Sequence, residues 1–236
     1  MSTVPKYHLK KAPLVSVVMP TYNRYDIICQ AVDSVLSQTY RKFELIIVDD
    51  GSSDNTEEML KQRYSWEWDK RLKYFKTDQK GVSHARNFGI AKSEGDYIAY
   101  LDTDNTWRKN YLHTMLHLLQ TSFSKCAYSA IAVDNQVDKM VFTLFQPLFE
   151  WNSLYEKNFI DLNGFVHHKD LFEELGGFDQ QMTRLVDWDL ILRYTNKYEP
   201  RPVPYILVDY SVSDNVNHIT TSESYEENRK LIEAKF

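Results

Sequence analysis

The chain has 236 residues, of which 43% are hydrophobic, 28 are basic and 33 are acidic. This hydrophobic share is enough for the core of one large domain and argues against a disordered chain. The net charge of -5 provides no broad cationic surface, so we expect no nucleic-acid partner.

Cysteine usage and hydropathy bear on the compartment. The chain has only two cysteines, Cys29 and Cys126, and they have no metal-ligand spacing. Two cysteines cannot form a disulfide framework, so a reducing compartment is favoured. No window reaches the roughly 18 apolar residues of a membrane span, and the N-terminus lacks the apolar core of a signal peptide. We therefore expect no integral membrane segment and a cytoplasmic protein, with peripheral attachment at the inner face of the membrane as the alternative.

Residues 14–104 alternate short β-branched runs with helical patterns, which predicts consecutive βαβ units and a parallel sheet. The predicted strands are 14–20, 43–50, 72–77 and 96–101. The carboxyl ends of parallel strands form the ligand crevice of such a sheet. Asp49, Asp50, Asp102 and Asp104 all fall at these ends, and we expect Asp49 to support the loop that follows it.

Beyond residue 120 the pattern changes, because two apolar runs at 126–133 and 139–145 flank a polar turn and predict an antiparallel hairpin. Further elements are a short helix at 170–175, a helix at 186–196, a strand at 202–208 and a charged helix within 222–236. The helix at 186–196 carries Asp187 and Asp189. Residues two apart on a helix point to different faces, so we expect one of these two carboxylates to be structural.

Asp102 and Asp104 follow a buried strand directly, in the stretch YIAYLDTDNTW. On an extended segment both side chains point the same way, and their hard oxygens suit Mg²⁺ or Mn²⁺ shared with substrate phosphates. Two other interpretations remain open on this motif alone. One is a polar turn in which Asp104 or Asn105 caps the next helix, and the other is the DxDxT nucleophile pair of a haloacid dehalogenase-like phosphatase. In the metal-site interpretation, Asn105 and Thr106 only start the next helix. That phosphatase motif normally opens its domain, whereas here it follows several βαβ units.

Four blocks together carry a resemblance: VSVVMPTYNR, FELIIVDDGSSDNTEEML, GVSHARNFGIAKSEGDYIAYLDTDNTW and LGGFDQQMTRLVDWDLILRY. In order, spacing and content they resemble the family 2 inverting glycosyltransferases of the GT-A fold, over most of residues 14–210. The resemblance implies an α/β domain with a Rossmann-like, mostly parallel sheet flanked by helices and a small antiparallel element on the acceptor side. Residues 1–13 would be an N-terminal extension, 14–107 the nucleotide-sugar half, 108–210 the acceptor half and 211–236 a C-terminal loop and helix.

The same resemblance implies metal-dependent sugar transfer from a nucleotide-sugar donor, with a UDP-sugar expected, to a glycan or a lipid-linked saccharide. The metal would be Mn²⁺ or Mg²⁺, and the donor sugar and the oligomeric state stay undetermined. A nucleotide-binding module without turnover is the alternative. The implied nucleotide-side residues are Pro20, Thr21, Tyr22, Asp50, Arg86, Asp102 and Thr103.

The resemblance also implies that Asp104 holds the metal with support from Asp102, and that Asp187 is the base. In the family an acidic residue usually precedes this base, whereas Val186 stands here, which leaves the pKa of Asp187 open. By analogy with GT-A relatives His218 would be a late metal or phosphate contact, and the alternative is an ordinary surface histidine.

Overall fold

The structure, a computed structural model, describes residues 12–64, 69–122, 124–135, 139–212 and 224–236. Within these ranges nine strands, numbered along the chain, form one sheet. Eight of them lie side by side in the order β3 (Leu72–Lys76), β2 (Phe43–Asp49), β1 (Val15–Thr21), β4 (Tyr97–Tyr100), β8 (Phe165–His168), β6 (Cys126–Asn135), β9 (Arg201–Val212) and β5 (Asn105–Trp107), and β7 (Met140–Leu144) pairs with β6. None of the helices in the described ranges is long and apolar enough to cross a membrane.

The first half of the sheet is parallel, as the βαβ pattern predicts. Its strands are β1 (Val15–Thr21), β2 (Phe43–Asp49), β3 (Leu72–Lys76) and β4 (Tyr97–Tyr100), with β1 between β2 and β4. Every residue of β1 and β2 is buried, because helices cover both faces of a central parallel strand. The connecting helices are α1 (Ile28–Leu36), α2 (Thr56–Arg63) and α3 (Val82–Ala91).

The second half extends the same sheet with mixed pairing. Strand β8 (Phe165–His168) runs antiparallel to both β4 and β6 (Cys126–Asn135), and β9 (Arg201–Val212) runs parallel to β6. The predicted hairpin is confirmed, because β7 (Met140–Leu144) pairs antiparallel with β6. The remaining helices are α4 (Tyr111–Gln120), α5 (Trp151–Glu156), a 3-10 turn (Leu162–Gly164), α6 (Asp170–Leu175), α7 (Val186–Lys197) and α8 (Tyr225–Glu233).

The segment after the two carboxylates corrects one prediction. Asn105 and Thr106 do not start a helix: they lie in a short strand, β5 (Asn105–Trp107), which pairs antiparallel with β9, and α4 begins only at Tyr111. The partner strand is about a hundred residues away, and a local pattern carries no sign of it. Asp102 and Asp104 therefore lie between two strands of one sheet, which fixes the backbone on both sides of them.

A glycine allows helix α3 to lie close against the sheet. A Cβ atom at Gly89 would lie 2.6 Å from Val18 Cγ1 and 3.2 Å from Val48 Cγ2. Real Cβ atoms do not approach that closely, so any other residue would push α3 outwards. This approach matters because Arg86 lies on the same helix, one turn before Gly89.

Candidate active site

The end of β1 brings the first predicted nucleotide-side residues to the edge of the sheet. Pro20 and Thr21 are buried, and the Thr21 hydroxyl has no hydrogen-bond partner within the described residues. The next residue, Tyr22, is 42% exposed, and its hydroxyl accepts a hydrogen bond of 2.8 Å from Gln79 Nε2. The strand end thus offers an unused hydroxyl and an accessible aromatic ring.

Asp50, at the end of β2, uses its carboxylate to hold the loop before α3. It accepts hydrogen bonds from the backbone amides of Lys80 (2.9 Å) and Gly81 (2.7 Å) and from the Thr77 hydroxyl (2.9 Å). Both oxygens are therefore occupied by the protein, and only 6% of the residue is exposed. This geometry places Asp50 next to the crevice as an organiser of its wall.

Asp49 is fully buried and does what we expected of it. Its carboxylate accepts hydrogen bonds from the Ser52 amide (2.7 Å) and the Tyr74 hydroxyl (2.5 Å). Asp49 thus holds the loop after β2, and Asp50 holds the loop before α3. The end of β2 is rigid for that reason.

Arg86 and Asp102 form an ion pair at the centre of the crevice. Arg86 NH2 donates to Asp102 Oδ1 at 2.7 Å, and its guanidinium lies 5.2 Å from the centre of the Phe178 ring. Arg86 is only 6% exposed, and its Nε has no partner within the described part of the chain. Burial alone would lower the pKa of Arg86, but the carboxylates of Asp102 and Asp187 raise it. The guanidinium therefore stays charged inside the site.

Asp187 lies in the first turn of α7, close enough to Arg86 and Asp102 to interact electrostatically with both. Burial raises the pKa of Asp187 above its ordinary value and the Asp102 charge adds to this, while Arg86 and backbone N–H groups oppose it. A carboxylate with a raised pKa is a stronger base once it is ionised. The pKa of Asp187 is therefore raised even though Val186, and not an acidic residue, precedes it.

Asp189 and Trp188, which lie close to Asp187 on α7, have structural contacts. For Asp189 this agrees with the expectation that one of the two carboxylates is structural. Asp189 is fully buried and is paired with Arg193 (2.9 Å) and Lys235 (2.8 Å). Trp188 is 3% exposed and donates its indole N–H to the Leu154 carbonyl at 2.8 Å. Of the two carboxylates on α7, only Asp187 interacts with the crevice.

Thr103 and Asp104 complete the segment between β4 and β5. Thr103 is 5% exposed, and Asp104 accepts a hydrogen bond of 3.0 Å from Asn105 Nδ2. Asp104 lines a cavity of about 130 Å³ with Ile27, Gln30, Thr103, Asn105, Thr106 and Ser211. The cavity lies beside the strand end and gives Asp104 access to a ligand.

The donor set suits a divalent ion that shares its ligation with a substrate. In the described ranges no group of three or more His, Cys, Asp or Glu side chains could hold a metal by itself. Mg²⁺ and Mn²⁺ commonly use only one or two carboxylates and take their other ligands from water and phosphates. Asp104 and the partly exposed Asp102 provide such a pair.

Sequence reasoning missed Asp161, which precedes the 3-10 turn. Its carboxylate accepts hydrogen bonds of 2.9 Å from both the backbone amide and the side-chain amide of Asn163. The pKa of Asp161 is raised to about 7, mainly by burial and also by the charges of Asp187 and Asp102, while the hydrogen bonds from Asn163 act in the opposite direction. Nothing in the weakly patterned sequence around residue 161 signals this position.

Tyr210 on β9 was missed as well. Its pKa is raised first by burial and then by four carboxylates, those of Asp161, Asp104, Asp102 and Asp187. These four residues come from three separate parts of the chain, so Tyr210 lies where both halves of the sheet bring acidic side chains together.

The C-terminal helix α8 supports the segment that leads into α7. Asn228 is 4% exposed, and its side-chain oxygen accepts hydrogen bonds from the backbone amides of Thr183 (3.0 Å) and Arg184 (3.1 Å). The loop predicted before this helix lies largely outside the described residues, and so does His218.

Comparison with known proteins decides the family. Residues 16–169 match the sequence model described as glycosyl transferase family 2, which is more than half of the chain. The chain belongs to glycosyl transferase family 2. Among its family 2 relatives, an uncharacterized glycosyltransferase of Rickettsia bellii is 40% identical over 120 residues, which cover 50% of this chain and 17% of the relative. The putative teichuronic acid biosynthesis glycosyltransferase TuaG of Bacillus subtilis is 37% identical over 133 residues, which cover 55% of this chain and 52% of TuaG.

Solved structures confirm the GT-A type of fold expected for family 2. S. aureus TarS 1-349 in complex with UDP-GlcNAc superposes with a TM-score of 0.77 at 17% identity, covering 92% of this chain and 64% of TarS 1-349. The mannosyltransferase PcManGT from Pyrobaculum calidifontis, in complex with GDP-Man and Mn²⁺, gives a TM-score of 0.67 at 21% identity, covering 86% and 58%. The family 2 chain thus spans less than two thirds of the length of each of these four proteins.

Proposed function

We propose that this chain is a metal-dependent inverting glycosyltransferase, which moves a sugar from a nucleotide-diphosphate donor to a hydroxyl group of a glycan or a lipid-linked saccharide. The observation that carries the proposal is the meeting of Asp187, Arg86 and Asp102 at the carboxyl ends of the strands. It combines a half-buried carboxylate of raised pKa with a fixed cation. Inverting sugar transfer needs a base of that kind opposite a site for the leaving diphosphate.

Donor binding is assigned to the ends of β1 and β4 and the start of α3. The Thr21 hydroxyl and the Tyr22 ring would contact the nucleoside, with Pro20 shaping the strand end and Asp50 holding the adjacent loop. Arg86 and Thr103 would lie on the diphosphate side. A UDP-sugar is supported by TarS, which is described in complexes with UDP-GlcNAc and with UDP, whereas PcManGT is described with GDP-Man.

A divalent metal, Mn²⁺ or Mg²⁺, would be held by Asp104 with support from Asp102. When bound, such an ion acts as a Lewis acid that offsets the charge developing on the departing nucleoside diphosphate. Arg86 adds a second fixed positive charge on the same side, and its geometry suits a bidentate contact with phosphate oxygens.

Asp187 would take the proton from the acceptor hydroxyl as that oxygen attacks the sugar. Its raised pKa comes from burial and from the Asp102 charge, so the acidic residue that usually precedes the base is not needed to raise it. We assign residues 14–107 to donor binding and 108–210 to acceptor binding. The name of TuaG, with its reference to teichuronic acid, supports a polysaccharide acceptor.

Family membership favours sugar transfer over the phosphatase interpretation of Asp102 and Asp104. The test is release of nucleoside diphosphate from a panel of UDP-, GDP- and other nucleotide sugars, with Mn²⁺, with Mg²⁺ and with EDTA, and with and without saccharide acceptors. We expect turnover that depends on the metal and is lost in Asp104→Ala and Asp187→Asn. The exposed Asp134→Asn is the matched control and should retain it.

Two outcomes would overturn this proposal. Tight nucleotide binding with no turnover of any donor would identify a binding module. Phosphate release from simple phosphomonoesters, abolished by Asp102→Asn, would identify a phosphatase.

A further inference from the structure

Asn163 lies in the 3-10 turn before β8 and contacts the acidic segment 61 residues earlier in the chain. Its side-chain oxygen accepts a hydrogen bond of 2.7 Å from the Asp102 backbone amide. Its side-chain nitrogen donates to Asp161 Oδ1 at 2.9 Å and lies 3.4 Å from Asp102 Oδ2. Its carbonyl accepts the indole N–H of Trp107 at 2.8 Å. Asn163 therefore touches both ends of the segment from β4 to β5.

We propose that Asn163 is a positioning residue that orients Asp102 for binding of the metal and the donor diphosphate. This inference rests on the proposed function and adds a residue from the acceptor half to its donor site.

The first step of the argument is the way Asp102 is held. Its two carboxylate oxygens face different donors: Arg86 NH2 lies 2.7 Å from Oδ1, and Asn163 Nδ2 lies 3.4 Å from Oδ2. With one donor on each oxygen, the carboxylate has a defined rotation about its terminal bond. Without the Asn163 side chain, Arg86 would be the remaining partner of the Asp102 carboxylate among the described residues, and Asp102 Oδ2 could turn away from the proposed metal and diphosphate.

The second step is the cost of keeping an amide at this position. Asn163 is 2% exposed, and burying a polar side chain is unfavourable unless its groups are hydrogen-bonded. Here the amide groups make their contacts with Asp102 and Asp161, and both of these carboxylates interact electrostatically with Asp187. The Asn163 side chain thus connects Asp102, on the proposed donor side, with Asp161, which lies near the proposed base Asp187.

The third step separates positioning from simple structural support. The Trp107 indole N–H donates to the Asn163 carbonyl and Trp107 is 4% exposed, so Trp107→Phe removes one buried hydrogen bond of the same turn and leaves the side-chain contacts between Asn163 and Asp102 in place. Asn163→Ala removes the side-chain contacts to Asp102 and Asp161, and it keeps the two backbone contacts, which are the carbonyl to Trp107 and the amide to Asp161. The two variants weaken the same region but differ in what happens to Asp102.

The experiment measures UDP binding by calorimetry, with Mn²⁺ and with EDTA, at a temperature at which each variant is folded by circular dichroism. For Asn163→Ala we expect the Mn²⁺-dependent gain in UDP affinity to fall about tenfold or more, while the affinity in EDTA changes by less than about threefold, as expected when an orienting contact is lost. For Trp107→Phe we expect a lower melting temperature and an unchanged Mn²⁺-dependent gain. If Asn163→Ala does not fold, Asn163→Ser replaces it.

The controls keep the two proposals apart. If the unaltered protein binds UDP no better with Mn²⁺ than with EDTA, and binds no other nucleoside diphosphate, the proposed function fails and this inference fails with it. If the unaltered protein shows the gain and the Asn163 variant shows the same gain, only the inference is overturned. An equal loss in Trp107→Phe would also overturn it, because the role of Asn163 would then be structural.

Discussion

Replacing Asp161 with asparagine is expected to stabilise the fold above neutral pH and to leave its stability near pH 4 unchanged. The pKa of Asp161 is raised to about 7, mainly by burial. In the unfolded chain the same carboxyl ionises near pH 3.9, as a free aspartate does. Between these two values the unfolded state releases a proton that the folded state keeps, so the free energy of unfolding falls as the pH rises. Asparagine cannot ionise and avoids this loss.

The size of the effect follows from the separation of the two pKa values. A difference of about three units, at about 1.4 kcal/mol each, corresponds to an upper limit of roughly 4 kcal/mol above pH 7. Asp161 keeps some accessible surface, so screening by solvent reduces the expected gain to about 2–4 kcal/mol. Because the asparagine oxygen can still accept the hydrogen bonds from Asn163, little is lost in exchange. For a chain of this length the gain corresponds to about 5–15 °C in melting temperature.

The assay is urea unfolding followed by circular dichroism at pH 4, 5, 6, 7 and 8, with EDTA present so that no metal is bound. The difference between Asp161→Asn and the unaltered protein should be near zero at pH 4, grow up to pH 7 and then stay level. The exposed Asp134→Asn should show no such trend. A difference that does not depend on pH, or a variant that is less stable at pH 8, would show that Asp161 is not held in its neutral form by burial.

Four further predictions concern the base and the packing of the domain. Asp187→Asn should lower kcat by about 10²–10⁴ with UDP affinity changed only a few-fold, and turnover close to that of the unaltered protein would mean that another group is the base. The raised pKa of Asp187 should also place the acid limb of the kcat/KM profile above the range of an ordinary carboxylate, and a limb near pH 4 would contradict this. Gly89→Ala should cost about 1–3 kcal/mol in urea unfolding, because its Cβ would overlap β1, and an unchanged midpoint would disprove the close approach. Lys235→Met should cost about 1–3 kcal/mol by weakening the pairing of buried Asp189, whereas the exposed Lys230→Met should cost little, and equal effects would count against a specific role for this ion pair.

The sequence predicted the parallel half of the fold well, for a physical reason. Strands β1 and β2 are buried along their whole length, so each appears as a short continuous apolar run, and the helices between strands carry an apolar face of their own. These signals are local. The strand ends, and with them the placement of Asp50 and Asp102 at one edge of the sheet, follow from the order of such runs, whereas Arg86 was assigned to the site by the family resemblance.

What the sequence could not predict depends on pairing over long distances. Asn105 lies in a strand because β9 pairs with it, and Tyr210 lies among four carboxylates for the same reason. Asp161 sits in an irregular segment whose local pattern predicts no element. The pKa of Asp161 is raised by burial and by the charges of Asp187 and Asp102. Both causes arise only when the chain folds, so the residue type alone does not reveal them.

The helix α8 has a consequence for how the domain can be divided. The match to the family ends at residue 169, before α7 begins, so a polypeptide trimmed to that boundary would lack Asp187 altogether. A polypeptide ending at residue 223 would keep Asp187, but it would leave buried Asp189 without Lys235 and the amides of Thr183 and Arg184 without Asn228. The smallest autonomous unit must therefore include α8 and Lys235, which follows it.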